Sequence, residues 1–514
     1  MSGADGSSLG SKAGKALGWS FLSTLAARFG TLAIGITLAR VLGPTEFGTF
    51  AVALVALLAM LSINELGVSL AIVRWPDDPR TIVPTVATMS AGFSVLVCGG
   101  FVLLAPAFAE AMGNPAATGP VRVLALSVVT NGLVSTSAAL MQREFMQGRK
   151  MIADQVDNWL GALISLTLAL LGWGAMSLAV GRVCGSLAGG VLLMTFAPQR
   201  LRFGFDPEVA RRLIRFGLPL AGASLLVFAV GYADQIVVGH VLGSTALGFY
   251  VLAVNLSGWP VAVFSQPVRA VAPAAFARLQ HDRPTLNRSF VTVAALLVGL
   301  TLPICLLLSG AAPSIIRFVY GDQWETAAIA LAGLGVLAGL RIFFELVYDY
   351  LVVLERSRAV LAVQGLWLVV LVPAMWIGVQ QDGLRGAAIA LVAVAGVVVL
   401  PAYLWMLGRS GVRLLDLARD LWPAVLAALA VGAFAVLAQR NITPDLGVLA
   451  AAGTVAVLVV GLYGYRRRRV LGELRRTPAG PPVPVPAGQP DPARHTGETS
   501  TGSPVMGRDI EEHA

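Results

Sequence analysis

Apolar runs of about 20 residues, separated by short polar breaks, constrain this chain more than any other feature. A helix needs roughly 20 apolar residues to cross a hydrocarbon core of about 30 Å. Inside that core, only helices and closed barrels satisfy their own backbone groups. Most of the runs carry no polar face, so they cannot sit on the surface of a soluble core. Charged residues make up only 13% of the 514, against about 25% in soluble domains. The chain is therefore expected to be an all-α polytopic membrane protein. No small-residue cleavage site follows the first run, so that run is expected to be retained as a span.

Fourteen spans are expected, at residues 16–40, 47–73, 82–106, 120–141, 152–172, 174–197, 213–239, 246–272, 290–312, 325–354, 359–379, 383–407, 421–438 and 446–465. The run at 152–172 begins polar and is the weakest of them. The net charge of +9 would hint at nucleic acid in a soluble protein. Here the positive charge sits in loops, where topology explains it, and no nucleic-acid partner is expected. One alternating set of segments holds 29 of the 37 Lys and Arg. It comprises both tails and the connections 74–80, 142–151, 198–215, 269–289, 355–358 and 408–420. The other set holds five: Arg40, Arg122, Arg317, Arg385 and Arg440. Arg28, Arg182 and Arg341 fall within spans. The asymmetry places both termini in the cytoplasm of a plasma or inner membrane, which agrees with an even number of spans.

A short sequence recurs 200 positions on. Residues 41–53 read VLGPTEFGTFAVA and residues 241–253 read VLGSTALGFYVLA, with six of thirteen positions identical. Gly43 matches Gly243 and Gly48 matches Gly248. Six spans separate the copies, so both face the same side of the membrane. The expected architecture is two parallel six-helix repeats, forming two lobes around a central cavity, with two further C-terminal helices. The organisation that follows is a cytoplasmic tail at 1–15, an N-lobe at 16–200 and a C-lobe at 201–410. Spans 13 and 14 occupy 411–468, and a Pro-rich cytoplasmic tail runs over 469–514. Seven prolines between 477 and 492 mark that tail as disordered.

The chain carries no P-loop, HExxH or GxSxG motif, and two of its four histidines lie in the tail. No enzyme activity, cofactor or metal is expected. Cys98, Cys184 and Cys305 lie in apolar runs without ligand spacing and are expected to be packing residues. The informative residues are polar groups inside spans, each costing about 2.5 kcal/mol or more at mid-bilayer unless paired or hydrated. Arg28 lies near the middle of span 1 with no acid within a turn. It is read either as a hydrated, substrate-facing cation or as a salt-bridge partner from another span. Asp234 in span 7 could pair with Arg28, bind a cation or serve structure alone. Arg341, Glu345 and Asp349 share one face of span 10 at spacings of four, with Tyr348 beside them. They either neutralise one another along the helix or wall a hydrated cavity. Glu65 is read as interfacial, Arg182 as snorkelling, and Asn131, Asn255 and Gln364 as contacts between helices.

The segments AlaArgValLeuGlyProThrGluPheGly at 39–48, GluLeuGlyValSer from Glu65, ArgPheGlyLeuPro from Arg215, PheAlaArgLeuGln from Phe276 and TyrGlyAspGlnTrp from Tyr320 occur in a telling order. With them the chain resembles the Wzx-type flippases of the multidrug/oligosaccharidyl-lipid/polysaccharide (MOP) superfamily, over about residues 15–410. The resemblance implies movement of polyprenyl-diphosphate-linked oligosaccharide from the inner to the outer leaflet by alternating access, for exopolysaccharide, lipopolysaccharide, capsule or cell-wall polysaccharide. It implies that Arg28 is a cavity cation for the diphosphate, with Asp234, Arg341, Glu345, Tyr348 and Asp349 lining the same cavity. It also implies membrane lipids as surroundings, H+ or Na+ as coupling ion, and a polysaccharide polymerase and other assembly proteins as partners. The alternatives within the superfamily are a MATE-like cation-coupled drug exporter and a peptidoglycan-precursor lipid flippase.

Overall fold

The computed structural model describes residues 6–64, 72, 81–144, 146–199 and 201–467. The side chains of residues 6–32 and of Phe216, Pro219, Leu220, Ala223, Ala270, Val271 and Ala274 lie outside this description. Glu65, the 74–80 connection and the Pro-rich tail also lie outside it.

Among the described residues every regular element is helical. Ten helices among the described residues are long and apolar enough to cross a membrane. Three of these, Ala33–Asn64, Ser224–Arg269 and Ser357–Arg409, are each broken once, at Gly43, Gly243 and Gly383. Together with Gln147–Leu170, which carries Arg149, Lys150, Asp154 and Asp157 and is correspondingly more polar, they make the fourteen helices expected. We number these α1 (6–42), α2 (44–64), α3 (Val83–Ala111), α4 (Thr118–Arg143), α5 (Gln147–Leu170), α6 (Ala175–Phe196) and α7 (207–242). The second half continues with α8 (244–278), α9 (Arg283–Gly310), α10 (Ala327–Val353), α11 (357–381) and α12 (384–409). The last two are α13 (Leu414–Asn441) and α14 (Asp445–Arg466). Caps start several of them. The Asp206 carboxylate accepts from the Glu208 and Val209 amides ahead of α7, and Asp282 accepts from the Thr285 amide ahead of α9. Each is followed by a proline within the first turn.

The repeat is visible in the backbone. Gly43 has φ 72°, ψ 174°, and Gly243 has φ 82°, ψ 177°, the same conformation twice. Only glycine adopts it without strain. The helices that follow the two turns cross at Gly48 and Gly248. A Cβ on Gly248 would lie 2.8 Å from the Pro44 carbonyl oxygen and 2.9 Å from the Gly48 Cα, and one on Gly48 would collide with the Ser244 carbonyl. The two halves therefore meet backbone to backbone on the face that carries both turns.

Polar and aromatic groups fasten that face. Asn114 donates to Thr49 Oγ1 at 2.8 Å and lies 2.9 Å from Ser244 Oγ, so it spans both turns. Trp324 is fully buried. Its indole N–H donates to the Ala39 carbonyl, and its ring meets Phe47 and Phe249 edge-on. Arg40 donates to the carbonyls of Phe318 and Val319. Arg40 thus closes its helix, as the span 16–40 expects, and is engaged rather than free in the loop set with which the charge count groups it.

The last two helices pack on α9. A Cβ on Gly310 would lie 2.7 Å from the Gly432 carbonyl oxygen, and Tyr463 covers Gly299 while donating to the Ala295 carbonyl. Arg317, on the short helix Ala312–Tyr320, grips both oxygens of Asp445 at 2.7 and 3.1 Å and also holds Glu325 at 2.8 Å.

Candidate functional site

Charge inside the second half gathers on α10 and on the far end of α8. Arg341, Glu345 and Asp349 share a face of α10, as their spacing predicts. The opposite wall is set by a π turn over Val261–Ser265 within α8. A π turn adds a residue without advancing the helix to match, so it rotates everything beyond it. Beyond this one, Ser265 and Arg269 both reach α10.

The resulting network is specific. Arg269 Nε donates to Asp349 Oδ2 at 2.9 Å and Nη2 donates to Oδ1 at 3.1 Å, a bidentate fork. Arg269 Nη1 lies 3.7 Å from Glu345 Oε2, which also accepts from Ser265 Oγ at 2.7 Å. Arg341 Nε stands 3.5 Å from Glu345 Oε1. Two cations thus balance two carboxylates, but unevenly. The Asp349 side chain is 9% exposed and Glu345 15%, whereas Arg341 is 62% exposed at the middle of its helix. A guanidinium so placed needs a hydrated space rather than hydrocarbon.

Asp234 lies apart from that line of contacts. Its Oδ2 accepts from the buried Tyr250 hydroxyl at 2.6 Å and its Oδ1 from the Gln235 amide. Among the described residues, Arg341 is the charged group whose field reaches it. Tyr348, 37% exposed, edges the network within electrostatic reach of Arg269. The structure thus brings Arg341, Glu345 and Asp349 into one cluster, with Asp234 and Tyr348 at its margins. The Arg28 side chain lies outside the described residues.

Three participants were not singled out from sequence: Arg269, Ser265 and Tyr250. Self-neutralisation along α10 is only part of the arrangement, because Asp349 takes its cation from α8. The sequence places Arg269 where the expected span 246–272 overlaps the basic connection 269–289, and α8 continues past it to Arg278. One signal was present, since two acids against one base on a single face call for a cation from elsewhere. Asn131 accepts from Asn64 at 3.3 Å, the contact between helices expected of it. A separate cavity of about 400 Å3 lies between the halves below the closed turns, lined by Ile36, Ala39, Phe47, Asn255 and Trp259 among others.

A family described as polysaccharide biosynthesis protein matches residues 37–329. The chain is 25% identical over 403 residues to the succinoglycan biosynthesis transport protein ExoT of Rhizobium meliloti (strain 1021), covering 77% of this chain and 80% of that one. It is 22% identical over 373 residues to the lipopolysaccharide biosynthesis protein WzxC of Escherichia coli (strain K12), covering 72% and 76%. In structure it is similar to the lipid II flippase MurJ in an inward closed conformation, with TM-score 0.72 and 12% identity over 88% of this chain and all of that one. It is also similar to an inward-facing multidrug resistance MATE family transporter of the MOP superfamily, with TM-score 0.60 and 18% identity over 74% and 93%. These two likenesses establish the fold, two six-helix lobes with an added pair of helices here.

Proposed function

Because the chain belongs to the polysaccharide biosynthesis protein family, we propose that it carries polyprenyl-diphosphate-linked oligosaccharide from the inner to the outer leaflet by alternating access. It acts as a transporter rather than an enzyme. The observation that carries the site is the mid-helix Arg341, which is 62% exposed and held by one long contact to Glu345. A diphosphate can draw Arg341 from Glu345 without stranding that carboxylate, because Ser265 and Arg269 still hold it. An arginine fork grips a phosphate through two parallel hydrogen bonds, which a lysine cannot do. Asp234, fixed by Tyr250, balances Arg341 when the site is empty. Arg28 supplies a second cation from the first half, while Glu345, Asp349 and Tyr348 complete the wall.

The charge asymmetry supports cytoplasmic termini, with the Gly43 and Gly243 turns facing outward. The lobes are then 16–200 and 201–410, with 411–468 beside them, and the closed turn face is the outer gate. With no nucleotide-binding motif, transport draws on an H+ or Na+ gradient, the membrane potential or the substrate gradient. The delivered glycan passes to a polymerase and its assembly partners.

The test is flipping of an undecaprenyl-diphosphate-linked oligosaccharide in proteoliposomes. Arg341→Ala and Arg28→Ala should each cut the rate about 100-fold, the loss of one bidentate charged contact of roughly 3 kcal/mol. Arg341→Lys should recover only part of it. Wild-type rates in both alanine variants would remove these arginines from the substrate path.

A further inference from the structure

A second polar cavity, of about 320 Å3, lies wholly in the first half, between α2, α4, α5 and α6. Lys150 and Asp154 pair at 3.0 Å along α5. Asp157, one turn on, and Arg182, on α6, feel each other's charge, yet no ion pair joins them among the described residues. Ser127, only 6% exposed, lines the cavity with a hydroxyl that has no hydrogen-bond partner among the described residues. Asn131 accepts from Asn64 through Oδ1, which leaves its amide N–H groups for the cavity.

Asn131, Asp154 and Arg182 are exposed, so the cavity is open on one side. Asn131 and Asp157 lie at the middle of their helices, where an opening onto hydrocarbon would leave polar groups without water. The opening therefore faces the aqueous space between the halves. Its chemistry excludes simple ions. A bare cation would meet Lys150 and Arg182, and an anion would meet Asp154 and Asp157. A polyol offers a donor and an acceptor at every hydroxyl, and a wall of balanced charges and amides matches both. Among the described residues no aromatic ring lines the cavity, so recognition runs through hydroxyl edges rather than ring faces. Small-molecule sites begin at about 300 Å3, so this cavity takes one end of a glycan rather than a whole one.

We propose that this cavity is a sugar subsite, which holds part of the glycan through Ser127, Asn131, Asp157 and Arg182 while the diphosphate lies at Arg341. The assignment rests on the transport function proposed above, and the experiment separates the two. Ser135, on the cavity wall, is replaced by cysteine in full-length protein carrying Cys98→Ala, Cys184→Ala and Cys305→Ala. Maleimide labelling is followed in nanodiscs with undecaprenyl diphosphate, or with the same lipid bearing a neutral pentasaccharide. The glycolipid should slow labelling about tenfold, equivalent to roughly 1.4 kcal/mol of occupancy, and the bare lipid should not. Asp157→Asn and Arg182→Gln should abolish that protection. Protection by both lipids alike, or by neither, overturns the subsite, and the Ser135→Cys protein gives this answer even if the charge variants do not fold. Flipping of the same glycolipid in proteoliposomes is read separately. Protection without flipping keeps the subsite and sinks the transport function, and flipping without protection does the reverse.

Discussion

Removing one charge from a buried pair leaves its partner stranded in low dielectric, and the residue-scale behaviour of this protein follows from that asymmetry. Asp349 depends on Arg269 for both its oxygens. Arg269→Ala or Asp349→Ala alone should destabilise the protein by about 3–5 kcal/mol, and the double variant should recover much of the loss. Arg341→Ala should leave the melting temperature near wild type, because that side chain is mostly exposed and Glu345 keeps two other partners. Thermal unfolding in detergent of these four variants checks the division. A large loss in Arg341→Ala with none in Arg269→Ala would reverse the assignment of structural and substrate-facing cations.

At the scale of the element, the π turns explain what sequence shows and what it hides. The turn over Val261–Ser265 and a second over Ala395–Val399, within α12, each end two residues before a proline, Pro267 and Pro401. A proline has no N–H for the carbonyl four residues back, and that carbonyl lies inside the turn in both cases. Deleting Ala262 should restore α-helical register and leave Ser265 and Arg269 facing α10, because the residue lost is the extra one that the turn absorbs. The melting temperature should then stay near wild type. A loss as large as that of Arg269→Ala, roughly 3 kcal/mol, would show that the π turn does not aim these side chains. The helices themselves were legible because length and apolarity are local properties of the chain. So was the shared face of Arg341, Glu345 and Asp349, which spacing alone dictates. The Arg269–Asp349 fork was not legible. It joins positions 80 apart, and a cation at the end of an apolar run reads as a loop residue unless the π turn is foreseen. Trp324 and Arg40 were hidden for the same reason, since each bonds a backbone carbonyl more than 270 positions away.

For the whole molecule, orientation is the property most open to direct test. In the protein without native cysteines, a single cysteine at Ala116 or Asp382 should react with an impermeant maleimide added to intact cells. One at Gln147 or Ser357 should react only after permeabilisation. All four positions are exposed in the structure, so accessibility to the reagent is set by the membrane, and labelling of Ser357 in intact cells would invert the proposed orientation. The two halves are also unequal in their equipment. The second carries the Arg269–Asp349 fork and the added pair α13 and α14, and the first carries the mixed polar cavity of α4, α5 and α6. Against this divergence stands the crossing at Gly48 and Gly248, where one repeat position meets its own counterpart. A contact of a position with itself is what a symmetric dimer makes. The crossing therefore has the local geometry of a two-fold interface, with both of its faces supplied by one chain. Glycine at both positions leaves no side chain to hold the two backbones apart.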